Sequence, residues 1–282
     1  MRAFFAITAL LCGLWARPGL AATDRYLTAS DGVRLHYLEA GRGQTLVFVP
    51  GWTMPAWIWE RQIEAFSREY RVVAFDPRSQ GDSEIARSGH DPVRRGQDIA
   101  ELLQALGPGQ VVLVAWSLGV LDSLAYVHAQ GDGRIAGLVL VDNSVGEDPP
   151  PVASSAPAHR GKRPPRETLI RNFVHGMFAH PQPAAWLERL TRAALYTPEW
   201  AAKALLAYPV PRSFWKEAVY ATARPVLYLV RPRFEGQAEN LAAHHPAAET
   251  VVLRGVGHAL FVDDPGRFNA LVGDFIHRRI WH

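Results

Sequence analysis

Short aliphatic runs that do not alternate with polar residues recur along this chain, and they constrain its fold more than any other feature. Residues 45–49, 71–75, 111–115, 137–141 and 226–230 are apolar nearly throughout, and 249–253 closes the series. A strand with no polar face has to be covered on both sides, which is the condition of a largely parallel sheet between helical layers. Helical periods lie between the runs, at residues 60–69, 92–106, 118–129 and 266–280. Residues 33–39 alternate loosely and read as one more strand.

The stretch from Ser144 to about Ala223 breaks this rhythm. It is rich in Pro and Trp, has no run of strand type, and carries helical pieces at 167–178, 184–195 and 199–207. The expected fold class is therefore α/β: a mostly parallel sheet flanked by helices, with a helical cap at about 144–223 inserted between two strands. With 282 residues, 48% of them hydrophobic, one such domain over residues 23–282 has enough material for its core.

Residues 1–22 stand apart. Met1-Arg2 is a positive start, Ala3 to Ala16 is apolar, and Arg17 to Ala22 ends in small residues. That order reads as a secretory signal peptide, too short to span a bilayer comfortably. The expected location is periplasmic or secreted, the alternative being a membrane anchor left by an uncleaved signal. Removing Arg2 and Arg17 lowers the formal charge from +3 to +1. No basic stripe with interleaved aromatics is present, so nucleic acid is not an expected partner, and after cleavage neither is a membrane. Arg160 to Arg166 reads as a solvated basic loop. The single cysteine, Cys12, lies inside the apolar run and leaves the mature chain without a disulfide.

The chemistry centres on residues 111–120, Val-Val-Leu-Val-Ala-Trp-Ser-Leu-Gly-Val. Ser117 falls where a buried strand meets a helix, a turn that needs small neighbours because the nucleophile's backbone is strained. Gly119 is one such neighbour and Ala115 the other. A serine hydroxyl is a weak nucleophile until an adjacent base accepts its proton. Of the eleven histidines, His258 alone sits in a glycine-rich loop after the last strand. His244 and His245 are expected at the surface, and His36, His128 and His175 have no partner motif.

These motifs together resemble the α/β-hydrolase superfamily from about Tyr26 to the C-terminus. Val47 to Trp52 is similar to the family's strand ending in His-Gly, with Pro50 in place of the histidine. Phe75 to Ser83 resembles the loop after the next strand, Ala115 to Gly119 the nucleophile elbow, and Gly255 to Pro265 the catalytic-histidine loop. The resemblance implies an esterase- or lipase-like serine hydrolase with Ser117 as nucleophile, His258 as base, and an oxyanion hole from the Trp52 and Leu118 amides. It does not settle the acid. Most relatives carry an aspartate after the strand matching 226–230, where this chain reads Arg231-Pro232-Arg233-Phe234-Glu235. Asp142, which ends the previous strand, is the first candidate, and Glu235 is its rival. Asp76 with Arg78 reads as a structural pair, and Asp263 with Asp264 as the cap of the last helix.

No His or carboxylate group has metal-ligand spacing, and no phosphate-cradling or dinucleotide loop occurs, so neither a metal nor another cofactor is expected. Epoxide and haloalkane chemistry on this fold uses an aspartate nucleophile, against which Ser117 argues. The expected reaction is cleavage of a small, hydrophobic carboxylic ester through an acyl-enzyme. Acyl transfer or cofactor-free perhydrolysis on the same residues is the first alternative, and a ligand-binding pseudoenzyme the second.

Overall fold

The computed structural model describes residues 21–150 and 164–282. The signal read over residues 1–22, apart from its last two residues, lies outside them, as do Cys12 and most of the 160–166 basic run. The strands are β1 (Thr23–Thr28), β2 (Arg34–Ala40), β3 (Thr45–Val49), β4 (Arg71–Asp76), β5 (Val111–Trp116), β6 (Ile135–Val141), β7 (Val226–Val230) and β8 (Ala248–Val252). They form one sheet in the order β1-β2-β4-β3-β5-β6-β7-β8. Pairing is parallel from β4 through β8, while β1 and β2 join antiparallel at one edge. β5 and β6 are buried at every residue, as the absence of alternation requires.

Helices α1 (Glu60–Phe66), α2 (Pro92–Ala105) and α3 (Leu118–Gln130) follow β3, β4 and β5. Asp91 caps α2 by accepting from the Arg94 amide at 3.0 Å. Between β6 and β7 the chain forms α4 (Arg166–Gly176), α5 (Ala184–Tyr196), α6 (Glu199–Leu205) and α7 (Ser213–Ala221). Then come α8 (Glu235–His244), the single turn α9 (Leu260–Asp263) and α10 (Pro265–Arg279). The sequence pattern marks no element at β1, α7 or α9, and of α8 only its end, at His244 and His245 before Pro246. β1 is polar and almost wholly exposed, so it carries no core pattern and is held by pairing with β2.

Two apolar layers cover the faces of the sheet. One gathers around α2, α3 and α7. The other centres on Trp59, which stacks on Phe261 at 3.8 Å and meets Trp116 edge-on.

Several polar expectations need correction. Asp76 does not pair with Arg78. Its carboxylate meets His36 Nδ1 at 2.6 Å and accepts from the Ala56 and Asp82 amides, while Arg78 forks onto Asp98 at 2.6 and 2.7 Å. Asp264 caps α10 through the Arg267 amide, but Asp263 does not. His245 is buried, with Nε2 donating to Val219 and Thr222 carbonyls, although His244 is exposed.

His36 is buried too, and its Nε2 reaches Asp24 on β1 at 3.0 Å. Ligand atoms of Asp24, His36 and Asp82 lie within 4.8 Å of one another, a grouping the sequence spacing does not show. Both imidazole nitrogens are already hydrogen-bonded, so the cluster acts as a tether for β1. Burial opposes charge on His36, but the hydrogen bonds to Asp76 and Asp24 outweigh it and raise its pKa. A raised histidine pKa contributes stability that is full below its unfolded value, about 6.5, and is lost as pH rises through the folded value. His36→Gln is accordingly expected to cost about 2 kcal/mol near pH 6, and urea unfolding should show the gap to wild type closing as pH rises. A gap independent of pH contradicts the charged tether.

Candidate active site

β5 delivers Ser117 at its C-terminal end, and the turn into α3 is tight. Ser117 has φ 54° and ψ −120°, a conformation that costs a non-glycine residue roughly 1–3 kcal/mol and persists only when the surroundings enforce it. Three hydrogen bonds do so. The Ser117 amide donates to Val141 O at 2.9 Å, and its carbonyl accepts from the Val120 amide and from Asn143 Nδ2 at 2.8 Å. Gly119 is required because a Cβ there meets the Val49 and Pro50 carbonyls at 2.5 and 2.7 Å. Ala115 is fully buried in register with Val49, where its methyl group joins the core.

His258 Nε2 lies 2.8 Å from Ser117 Oγ, and its Nδ1 lies 2.7 Å from Asp142 Oδ2. Serine, imidazole and carboxylate thus make one hydrogen-bonded line, in which Nδ1 carries the proton shared with Asp142 and Nε2 is free to accept from serine. Asp142 is held at φ 49° one residue beyond β6, with its carboxylate fully buried. The Trp116 ring packs 5.1 Å from the imidazole, and its Nε1 donates to His258 O at 2.8 Å. Asp263 anchors the loop from the other side, accepting from Gly257 N at 2.6 Å and from the cap amides of Ala179 and His180.

Glu235 is elsewhere. A short turn at Pro232–Phe234 buries Phe234 and sends Glu235 into the first turn of α8, where it pairs with Arg254 at 2.5 Å. The longer side chain does not compensate for the position, because the backbone has already turned away.

Trp52 and Leu118 both lie next to the serine turn, one in the neighbouring loop and one on the chain itself. Leu118 N is the first amide of α3 and has no intrahelical acceptor, so it is available beside Ser117. The Trp52 loop abuts the elbow, since a Cβ on Gly51 falls 2.9 Å from Ser117 Cβ. Pro50 leaves that approach intact. Thr53 follows with φ 59°, and its amide donates to Gln80 Oε1, which fixes the loop from β4's side. Asn143, Gln80, Asp263 and Arg231 are the supporting residues that motif reading missed. Only Asp263 had a local signal, its place five residues after His258.

The cap closes over this edge. Trp52 Nε1 donates to Ala202 O on α6 at 2.7 Å, and Phe173 of α4 meets the indole edge-on at 5.0 Å. A mostly apolar cavity of about 220 Å³ opens between α4 and α6, walled by Trp52, Leu169, Ile170, Phe173, Ala202 and Leu206 together with the charged Arg166, Glu199 and Lys203. A larger cavity, about 610 Å³, lies at the opposite ends of β3, β4 and β5. There Arg71 and Arg134 are both bonded to backbone carbonyls; neither cavity is lined by Ser117 or His258, and of the two the smaller is the one that reaches Trp52 beside the serine turn.

Known proteins share this architecture. An esterase from Rhodococcus sp. superposes with a TM-score of 0.76 at 25% identity, covering 91% of this chain and 99% of that one. A bromoperoxidase from Bacillus anthracis superposes with a TM-score of 0.77 at 20% identity, over 90% and 100%, which shows the fold alone. A non-heme haloperoxidase of Rhodococcus erythropolis is 36% identical across 41% of this chain and 43% of its own length. The chain spans less than half the length of the curated relatives it matches. The model of the alpha/beta hydrolase family matches residues 46–271, from β3 into α10, so the fold, the strand order and the family match agree: the chain belongs to the alpha/beta hydrolase family.

Proposed function

We propose that the protein is a serine hydrolase that cleaves a carboxylic ester through an acyl-enzyme on Ser117. The observation that carries this reading is the hydrogen-bonded line from Ser117 Oγ through His258 to the buried Asp142 carboxylate. Ser117 attacks the ester carbonyl as His258 Nε2 takes its proton, and Asp142 stabilises the imidazolium that forms. The oxygen that gains charge is received by the Trp52 and Leu118 amides, each donor contributing roughly 100- to 1,000-fold in rate. His258 then protonates the departing alcohol, and water activated by the same imidazole releases the acid. A ligand-binding pseudoenzyme loses its main ground, because the carboxylate missing after β7 is supplied from β6.

The cavity walled by Trp52 and Phe173 supports a hydrophobic substrate. Its 220 Å³ falls below the roughly 300–1,000 Å³ of sites for drug-sized ligands, which favours a short acyl or small aromatic group. Perhydrolysis is a second reading, favoured by the likeness to haloperoxidases and to an Acinetobacter calcoaceticus protein named as a bifunctional esterase/perhydrolase, 32% identical over 41% of this chain. Hydrogen peroxide in place of water would release the acyl group as a peracid. A panel of p-nitrophenyl esters, run with and without peroxide, tests both. Short-chain esters should be cleaved faster than long-chain ones, and peracid should accompany the acid if the second reading holds. Turnover no greater than that of Ser117→Ala on every ester sinks the proposal.

A further inference from the structure

β6 and β7 are parallel neighbours with Val141 opposite Leu229, and the Asp142 amide donates to Leu229 O at 2.9 Å. Immediately beyond this pairing, Asp142 leaves one strand and Arg231 leaves the other. Arg231 grips the carboxylate twice. Its amide donates to Oδ1 at 2.9 Å and its Nε to Oδ2 at 2.6 Å. Oδ2 is the same oxygen that meets His258, and Arg231 Nη2 comes within 3.4 Å of His258 Nδ1. A cation therefore stands against both the acid and the base.

We propose that Arg231 is a positioning residue that orients Asp142 and supplies its counter-charge while His258 is neutral, keeping the base unprotonated to lower pH. The inference rests on the reading of Ser117, His258 and Asp142 as the reacting set. A carboxylate buried without a counter-charge pulls a proton onto an imidazole 2.7 Å away, because an opposite charge at that range favours the charged form. A protonated His258 cannot accept the Ser117 proton. Arg231 cancels much of that pull before any substrate arrives. The same positive charge opposes the imidazolium formed during acylation, so the arrangement trades some transition-state stabilisation for a larger fraction of competent enzyme under acid conditions.

The other groups around the imidazole do not duplicate this role. Ser117 is neutral, and Trp116 presents a ring. Asp263 lies behind the histidine loop with its oxygens taken by backbone amides of Gly257, Ala179 and His180. Tyr228, beyond Asp142, donates to Asn143 O, and burial raises its pKa so that it stays protonated. Arg212, the cation whose charge acts on Tyr228, pairs with Asp148 at 3.1 Å. Among the described residues, Arg231 is the cation in hydrogen-bond contact with Asp142.

The test compares wild type, Arg231→Met, Arg231→Gln and Arg231→Lys. The acidic limb of kcat/KM for p-nitrophenyl acetate is measured, and the His258 titration midpoint is followed by NMR of histidine-labelled protein without substrate. Loss of the charge in Met and Gln should move both midpoints up by about one pH unit, and Lys should restore them. Gln retains a donor toward Oδ2, so it carries the same comparison if Met does not fold. Both midpoints unmoved in a folded Gln or Met variant, with only the plateau rate or melting temperature lowered, would overturn the proposal and leave Arg231 a packing residue. The NMR midpoint separates this from the catalytic reading. A shift there in an enzyme whose Ser117→Ala form turns over like wild type sinks the serine mechanism but not the Arg231–His258 coupling.

Discussion

Ser117→Ala and His258→Ala are each expected to lower kcat for ester cleavage by about a million-fold, and the double variant to lose no more than either alone. The reason is that nucleophile and base act as one unit. Oγ transfers its proton to Nε2 across 2.8 Å, so removing either end removes the whole path. A residual rate roughly 1,000- to 10,000-fold above the uncatalysed reaction should survive, carried by the Trp52 and Leu118 donors and by substrate binding. Single-turnover rates of the three variants check this. A double variant losing the product of the two single losses would show that the groups act independently.

Asp142→Asn is expected to lower kcat by about ten-thousand-fold, while Glu235→Gln leaves it nearly unchanged. An amide at position 142 still packs, but it presents His258 with a donor or a neutral acceptor and no longer fixes the proton on Nδ1. Asn143 and the Asp142–Leu229 backbone bond hold the elbow in place, so the loss should fall on kcat and spare KM. Glu235 is bonded to Arg254 on the outer side of α8 and has no path to the imidazole. A severe loss in Glu235→Gln with Asp142→Asn near wild type would reverse the assignment.

The strands of the parallel sheet could be read from the chain to within about two residues, because burial on both faces removes polar residues from them. The edge strand β1, the helix α7 and the start of α8 could not. β1 is held by backbone pairing with little buried surface, and α8 opens at a Pro-Arg-Phe-Glu stretch that also reads as a loop. Ser117 and His258 stood out as candidates because a strand-to-helix turn with small neighbours marks the one and a glycine-rich loop after the last strand marks the other. Asp142 remained one of two candidates, because choosing it requires knowing that the turn at Pro232–Phe234 carries Glu235 into α8 and away from the imidazole. The partners of Asp76 and Asp263 were misread for a related reason. Each acts on backbone amides far away in sequence, at Ala56 and at Ala179 and His180, and local pairing rules do not reach that distance.

Labelling with a fluorescent fluorophosphonate tests, without knowledge of the natural substrate, whether Ser117 is an activated nucleophile. The folded protein should take up label at Ser117 alone, located by peptide mapping, and both Ser117→Ala and His258→Ala should stay unlabelled. A folded wild type that takes no label, or a His258→Ala protein labelled as fast as wild type, would contradict the account.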